Sequence, residues 1–206
     1  MSKKSLFYVA GGALLILWAV LSLVEGAMGM LGYPPLKMFF KMHAIKQYMH
    51  TMTFMSWFHF AVWILAGGVL IAKAFVPDML PNIAIAGLFA LLALFALVGF
   101  VGDFFALFRG GNARYFVNWI RVFSALLSVV AVGGMAVIIF LKDSFGSLFF
   151  VPAAAVVAKA FMWFIIRAFG LFGMFSLSFG VSLILLLIDC VLVAALFAVG
   201  MANNEE

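Results

Sequence analysis

The chain is 206 residues long, 68% hydrophobic and only 9% charged, with a mean hydropathy of +1.31. A soluble domain of that composition would present large bare apolar patches to water, so the solvent is lipid and an ordinary aqueous fold is excluded. The formal charge of +5 comes from 12 basic residues scattered among short links. That distribution suits anionic lipid headgroups and argues against nucleic acid as a partner.

Stretches free of Asp, Glu, Lys and Arg run over Ser5–Val24, Gln47–Ala72, Met79–Gly102, Val122–Leu141 and Ala168–Ile188. Each reaches the roughly 20 residues a helix needs to cross about 30 Å of hydrocarbon. The runs are continuous rather than alternating, which selects helices over a barrel. Residues 1–206 therefore read as a single all-α, polytopic helical membrane domain. Five transmembrane helices and a short interfacial helix are expected, with six spans as the alternative.

In chain order, Lys3 and Lys4 precede a first span over residues 6–30. Its apolar length exceeds a signal-peptide core and no small-x-small cleavage site follows, so a retained signal-anchor helix is expected. Gly32, Tyr33, Pro34 and Pro35 end it, because consecutive prolines cannot continue the hydrogen-bond ladder. Residues 36–49 read as an interfacial helix feeding almost directly into a second span, 51–72.

Pro77 and Pro81 bracket a turn into a third span, 79–107, and Arg109-Gly110-Gly111-Asn112 leads into a fourth, 115–141. Residues 145–167 are ambiguous: Pro152, Lys159 and Arg167 interrupt an otherwise apolar run, which fits an interfacial helix or an extra span. From Ala168 to Asn204 the single charge is Asp189. At 1.5 Å per residue that stretch would be about 55 Å long, too long for one crossing. Gly170, Gly173 and Gly180 offer breaks before a last span over 176–201. With five spans the basic residues divide evenly between the two faces, and the positive-inside rule gives no orientation.

The informative residues are polar ones placed where they cost most. Asp189 falls near the middle of the last span, where a carboxylate costs about 2.5–3.5 kcal/mol and must face protein or water. It reads either as a proton or cation site or as half of an interhelical pair with Lys159, Arg167 or Arg121. Glu25 and Asp103 are the other acids near the membrane, both read as edge anchors, Asp103 pairing with Arg109.

His43, His50 and His59 cluster in one stretch. On one continuous helix His43 and His50 would share a face, with His59 opposite and about 12 Å into the second span. Imidazole can ligate haem iron, a chlorophyll-type pigment or copper. Met42 and Met49 belong to a methionine stripe that, with histidine, would suit Cu(I). Both features also serve ordinary helix packing.

Gly11-Gly12, Gly67-Gly68, Gly99 with Gly102, and Gly133-Gly134 allow close helix approach, as does the series Ser176, Ser178, Gly180, Ser182. The lone Cys190 cannot form an intramolecular disulfide. The sequence contains no nucleophile elbow, phosphate loop or zinc-protease spacing, so an enzyme is not expected. The leading expectation is a non-catalytic integral membrane subunit or scaffold, packing other membrane subunits through aromatic and small-residue faces. A small transporter or channel using Asp189 is the alternative, and a haem-, pigment- or copper-binding subunit using His59 or the His/Met segment comes third.

Overall fold

The computed structural model describes residues 2–31, 49, 52–77, 80–110, 112–141, 148–171 and 179–204. Six long helices account for most of them. They are α1 (Lys3–Leu31), α2 (Phe54–Phe75), α3 (Asn82–Leu107), α4 (Phe116–Phe140), α5 (Val151–Phe169) and α6 (Phe179–Asn204). All six contain a stretch long and apolar enough to cross a membrane. The protein is an all-α, polytopic helical membrane protein.

The favoured count of five spans is corrected by α5, the six-span alternative. Its two apparent obstacles are accommodated locally. Pro152 sits in the first turn, where a missing N–H costs nothing, and Gly170 ends the helix in the left-handed conformation (φ 59°). Lys159 is half-buried and donates from Nζ to Ser128 Oγ on α4 at 2.9 Å.

The junction before α2 also differs from expectation. Thr53 caps α2 by accepting from the Ser56 amide, and Met52 and Thr53 are non-helical. A continuous helix carrying His50 and His59 is therefore broken, and the facial arithmetic relating them does not apply. Residues 32–48, which include most of the expected interfacial helix, lie outside the described residues, as do Ser176 and Ser178.

Each helix packs against its neighbour in sequence, and α6 closes on α1, so the six form a ring. Neighbours are antiparallel. Tyr8 near the start of α1 bonds Asn203 at the end of α6, and Lys73 at the end of α2 bonds Asn82 at the start of α3. Phe149 just before α5 touches Gly200 near the end of α6. One end of the ring thus holds Lys73, Asn82 and Asn203, and the opposite end holds Asp103, the start of α2 and the α3–α4 turn.

The two ends are packed differently. Toward the Lys73 end, a methyl on Gly12 would lie 2.5 Å from the Gly67 carbonyl oxygen, and one on Gly67 would lie 2.6 Å from that of Gly12. Backbones of α1 and α2 are in direct contact there, the close approach that small residues permit. Gly11 similarly admits Val199 of α6. Leu15, Leu70, Phe89, Met135, Leu196 and Val199 fill the interior around them. On the outside, Phe75, Phe105, Phe116, Phe140, Phe161 and Phe179 are exposed, as a lipid-facing surface requires.

Adding α5 as a span moves Arg167 to the other end. Among the described residues, Arg109, Arg114, Arg121 and Arg167 lie toward the Asp103 end and Lys3, Lys4 and Lys73 toward the opposite one, while Lys159 lies within α5.

Candidate functional site: a cavity at the centre of the ring

A cavity of about 440 Å³ lies inside the ring, and every one of the six helices contributes to its wall. Its volume falls within the range of about 300–1,000 Å³ typical of small-molecule sites. Leu92, Ala96, Ala131, Val132, Val156 and Leu192 make much of the wall apolar. Into this wall project Ser56 and His59 of α2, Asp103 of α3, Ser128 of α4, Lys159 of α5 and Asp189 of α6. The cavity reaches the surface at the Asp103 end, where the lining residues Met55, Ser56 and Asp103 are exposed.

The polar side chains are positioned by bonds between helices. Lys159 donates to Ser128 Oγ, and Ser128 donates in turn to the Ser124 carbonyl at 3.1 Å. Ser124 Oγ accepts from Trp163 Nε1 of α5 at 2.8 Å. Arg167 lies over the Trp163 ring, 5.4 Å from its centroid. This chain of contacts holds the α4–α5 seam and satisfies groups that would be costly to leave unpaired in lipid.

An aromatic group forms the α1–α2–α3 side. Trp18 meets Trp63 edge-on with centroids 4.8 Å apart, and His59 lies 5.2 Å from Phe95. Trp63 Nε1 donates to His59 Nε2 at 3.1 Å, which assigns the proton of the neutral imidazole to Nδ1. In that arrangement neither ring nitrogen offers a lone pair to a metal, and His59 serves as a hydrogen-bonding member of the wall. The buried Trp18 Nε1 has no acceptor among the described residues. A smaller cavity of about 210 Å³ adjoins this group and shares Trp18, Ser56, His59 and Trp63 with the main one.

The expected site residues separate clearly. Asp189 is half-buried and shares the cavity with Lys159, one of its three expected partners. Of the other two, Arg121 is exposed on α4, and Arg167 lies over the Trp163 ring. Asp103 is exposed at the mouth and makes no ion pair with Arg109, correcting its reading as half of an interfacial pair. Met49 is half-buried, apart from the cavity lining. His43, His50 and Met42 lie outside the described residues, as does the Glu25 side chain. Among the described residues, no group of three or more His, Cys, Asp or Glu could hold a metal ion.

Sequence reading missed a second polar cluster at the closed end. Lys73 is buried; its ammonium donates to the Leu80 carbonyl at 2.9 Å and to Asn82 Oδ1, and lies 5.9 Å from the Tyr8 ring centroid. Tyr8 donates to Asn203 Oδ1 at 3.2 Å, and Asn203 donates back to the Val199 carbonyl at 2.8 Å. Four helices are thereby tied together. The available signal was Lys73 one turn inside the end of an apolar run, where a cation also complements the helix dipole.

Comparison with protein-family models, curated proteins and solved structures gives no match, so the site stands on its geometry.

Proposed function

We propose that this protein is a membrane carrier or receptor-like transporter for a small solute, which it binds in the central cavity. The observation that carries the reading is the convergence of polar side chains from five helices on one cavity inside an otherwise apolar ring. Charged side chains in a membrane domain are costly, and their usual compensation is to face a ligand or water path. Opening toward the Asp103 end and backbone-to-backbone closure toward the Lys73 end describe a one-sided state. Release on the far side would require α1 and α2 to separate at the Gly12–Gly67 contact.

The deciding experiment screens small solutes for those that raise the Tm of the purified chain, then measures their exchange in proteoliposomes. Wild-type protein should exchange at least one such solute, and Asp189→Asn should abolish exchange while retaining the native mass. No stabilising solute, together with different chains co-migrating at native mass, would replace this reading with the second one. That second reading, a non-catalytic subunit of a membrane complex, draws on the outward aromatic faces bearing Phe105, Phe116, Phe140 and Phe161.

A further inference from the structure

The central cavity and its smaller neighbour share one stretch of wall, and its side chains carry no charge. Trp18 of α1 with Ser56, His59 and Trp63 of α2 line both cavities, and Phe95 of α3 joins them on the central side. The His59 ring lies 6.3 Å from that of Trp63 and 5.2 Å from that of Phe95, so an imidazole stands among three larger rings. Its Nε2 is committed to Trp63, which leaves Nδ1–H as its one donor, and that donor has no acceptor among the described residues. Trp18 Nε1 lacks one too, but that atom is buried; His59 Nδ1 is not closed off in the same way. An N–H at a low-dielectric cavity gains nothing from a hydrocarbon and a full hydrogen bond from a solute that brings an acceptor. The neighbouring rings decide which acceptor. A charged group placed among Trp18, Trp63 and Phe95 would lose its hydration and find no counter-charge on these side chains. A carbonyl oxygen needs only the donor.

We infer that this wall recognises an uncharged carbonyl compound, its oxygen accepting from His59 Nδ1–H and its aromatic body lying against Trp18, Trp63 and Phe95. This deepens the carrier reading, on which it rests for the cavity's role as a solute site. Hydrocarbons match the rings but leave the donor unmet, and a site built around a donor rejects analogues without the acceptor. Lys159 also offers N–H groups to the cavity. It stands on α5, however, whose other lining residue is the aliphatic Val156, so it lacks the rings that hold an aryl body.

The test uses the full chain in nanodiscs, with empty nanodiscs to subtract partitioning, and follows the ligand by fluorine NMR. The probe is para-fluoroacetophenone, and its isostere para-fluoro-α-methylstyrene replaces the carbonyl oxygen with a methylene. The ketone should bind about threefold to tenfold more tightly than the isostere. Trp63→Phe frees Nε2 but leaves one ring N–H on His59, so that preference should persist. The double variant His59→Leu, Trp63→Phe removes donor and acceptor together, which limits the cost to folding, and should bring the two affinities level. In the wild-type chain the carbon-13-labelled carbonyl of the bound ketone should absorb at lower wavenumber than in lipid, a shift that a merely structural histidine would not produce. Equal affinities in the wild type, an unshifted carbonyl, or a preference that survives the double variant would overturn the inference. Survival would put the oxygen on another donor, Lys159 first. Exchange in proteoliposomes, above that of protein-free vesicles, separates the inference from the carrier reading. Ketone-selective binding without exchange of any stabilising solute leaves the inference standing and removes the carrier. Exchange of another solute by a chain indifferent to the ketone does the reverse.

Discussion

At the Lys73 end Gly12 and Gly67 press backbone against backbone, whereas at the Asp103 end a methyl on Gly99 or Gly102 would meet nothing within 4 Å. One residue type thus does opposite jobs in the two halves of a single ring. In the closed half glycine removes a side chain so that helices can touch. In the open half Gly99 lines the cavity and leaves room in it. The polar groups divide in the same way. Lys73 bonds Asn82 and the Leu80 carbonyl, and Tyr8 bonds Asn203, while Asp103, Asp189, Ser56 and His59 line a cavity. Rigidity is concentrated at one end and chemistry at the other.

The strongest way to break this contrast is to add a methyl at the helix crossing. Gly12→Ala and Gly67→Ala each drive a Cβ into a carbonyl oxygen of the facing helix, and backbone cannot rotate away as a side chain would. Each should cost about 2–3 kcal/mol, measured as a lower unfolding midpoint in detergent. The double variant should cost less than the two added together, because the first substitution already parts the helices that the second would clash with. Full additivity would mean the two glycines do not share one contact.

Lys73→Met should come next. It keeps the apolar stem but leaves the Leu80 carbonyl and Asn82 Oδ1 without their donor, at a cost of about 1–3 kcal/mol. Tyr8→Phe removes a single buried hydroxyl bond to Asn203 and should cost about 1 kcal/mol. If the closed end is the firm end, both should destabilise more than Ser56→Ala, whose side chain is exposed at the mouth.

Much of the architecture was legible from charge-free length alone. In a membrane the backbone must satisfy itself, so each long apolar run becomes a helix whatever its local propensities. Boundaries then followed from Pro81 and from Gly170. The fifth span was obscured because Lys159 and Arg167 each count as a full penalty in a linear reading. The cost of Lys159 falls once Ser128, distant in sequence, is brought alongside, and Arg167 lies over Trp163 one turn earlier on its own helix.

The site was half legible for the same reason. Asp189, Asp103 and His59 stood out as polar residues in or beside apolar runs, but their convergence depends on six helices closing into a ring. Nothing local distinguishes Gly12, in contact with α2, from Gly68, which faces open space. A second span ending at 72 leaves Lys73 at its edge; α2 continues to Phe75 and carries the ammonium into a buried cluster.

The finest test of the contrast uses two glycines that should hardly affect folding. Neither Gly68 nor Gly99 has a neighbour within 4 Å of an added methyl, and both lie inside helices. Alanine is a better helix former than glycine by up to about 1 kcal/mol, so each substitution should leave the unfolding midpoint unchanged or slightly raised. The two should then part company in ligand binding. Gly99 lines the central cavity and Gly68 does not, so Gly99→Ala should reduce the volume available to a bound solute while Gly68→Ala leaves affinity untouched. Titration of both variants with a solute that raises the Tm of the wild-type chain would show it. A shift confined to Gly99→Ala ties recognition to the open half, whereas equal affinities would place the bound solute away from the α3 wall.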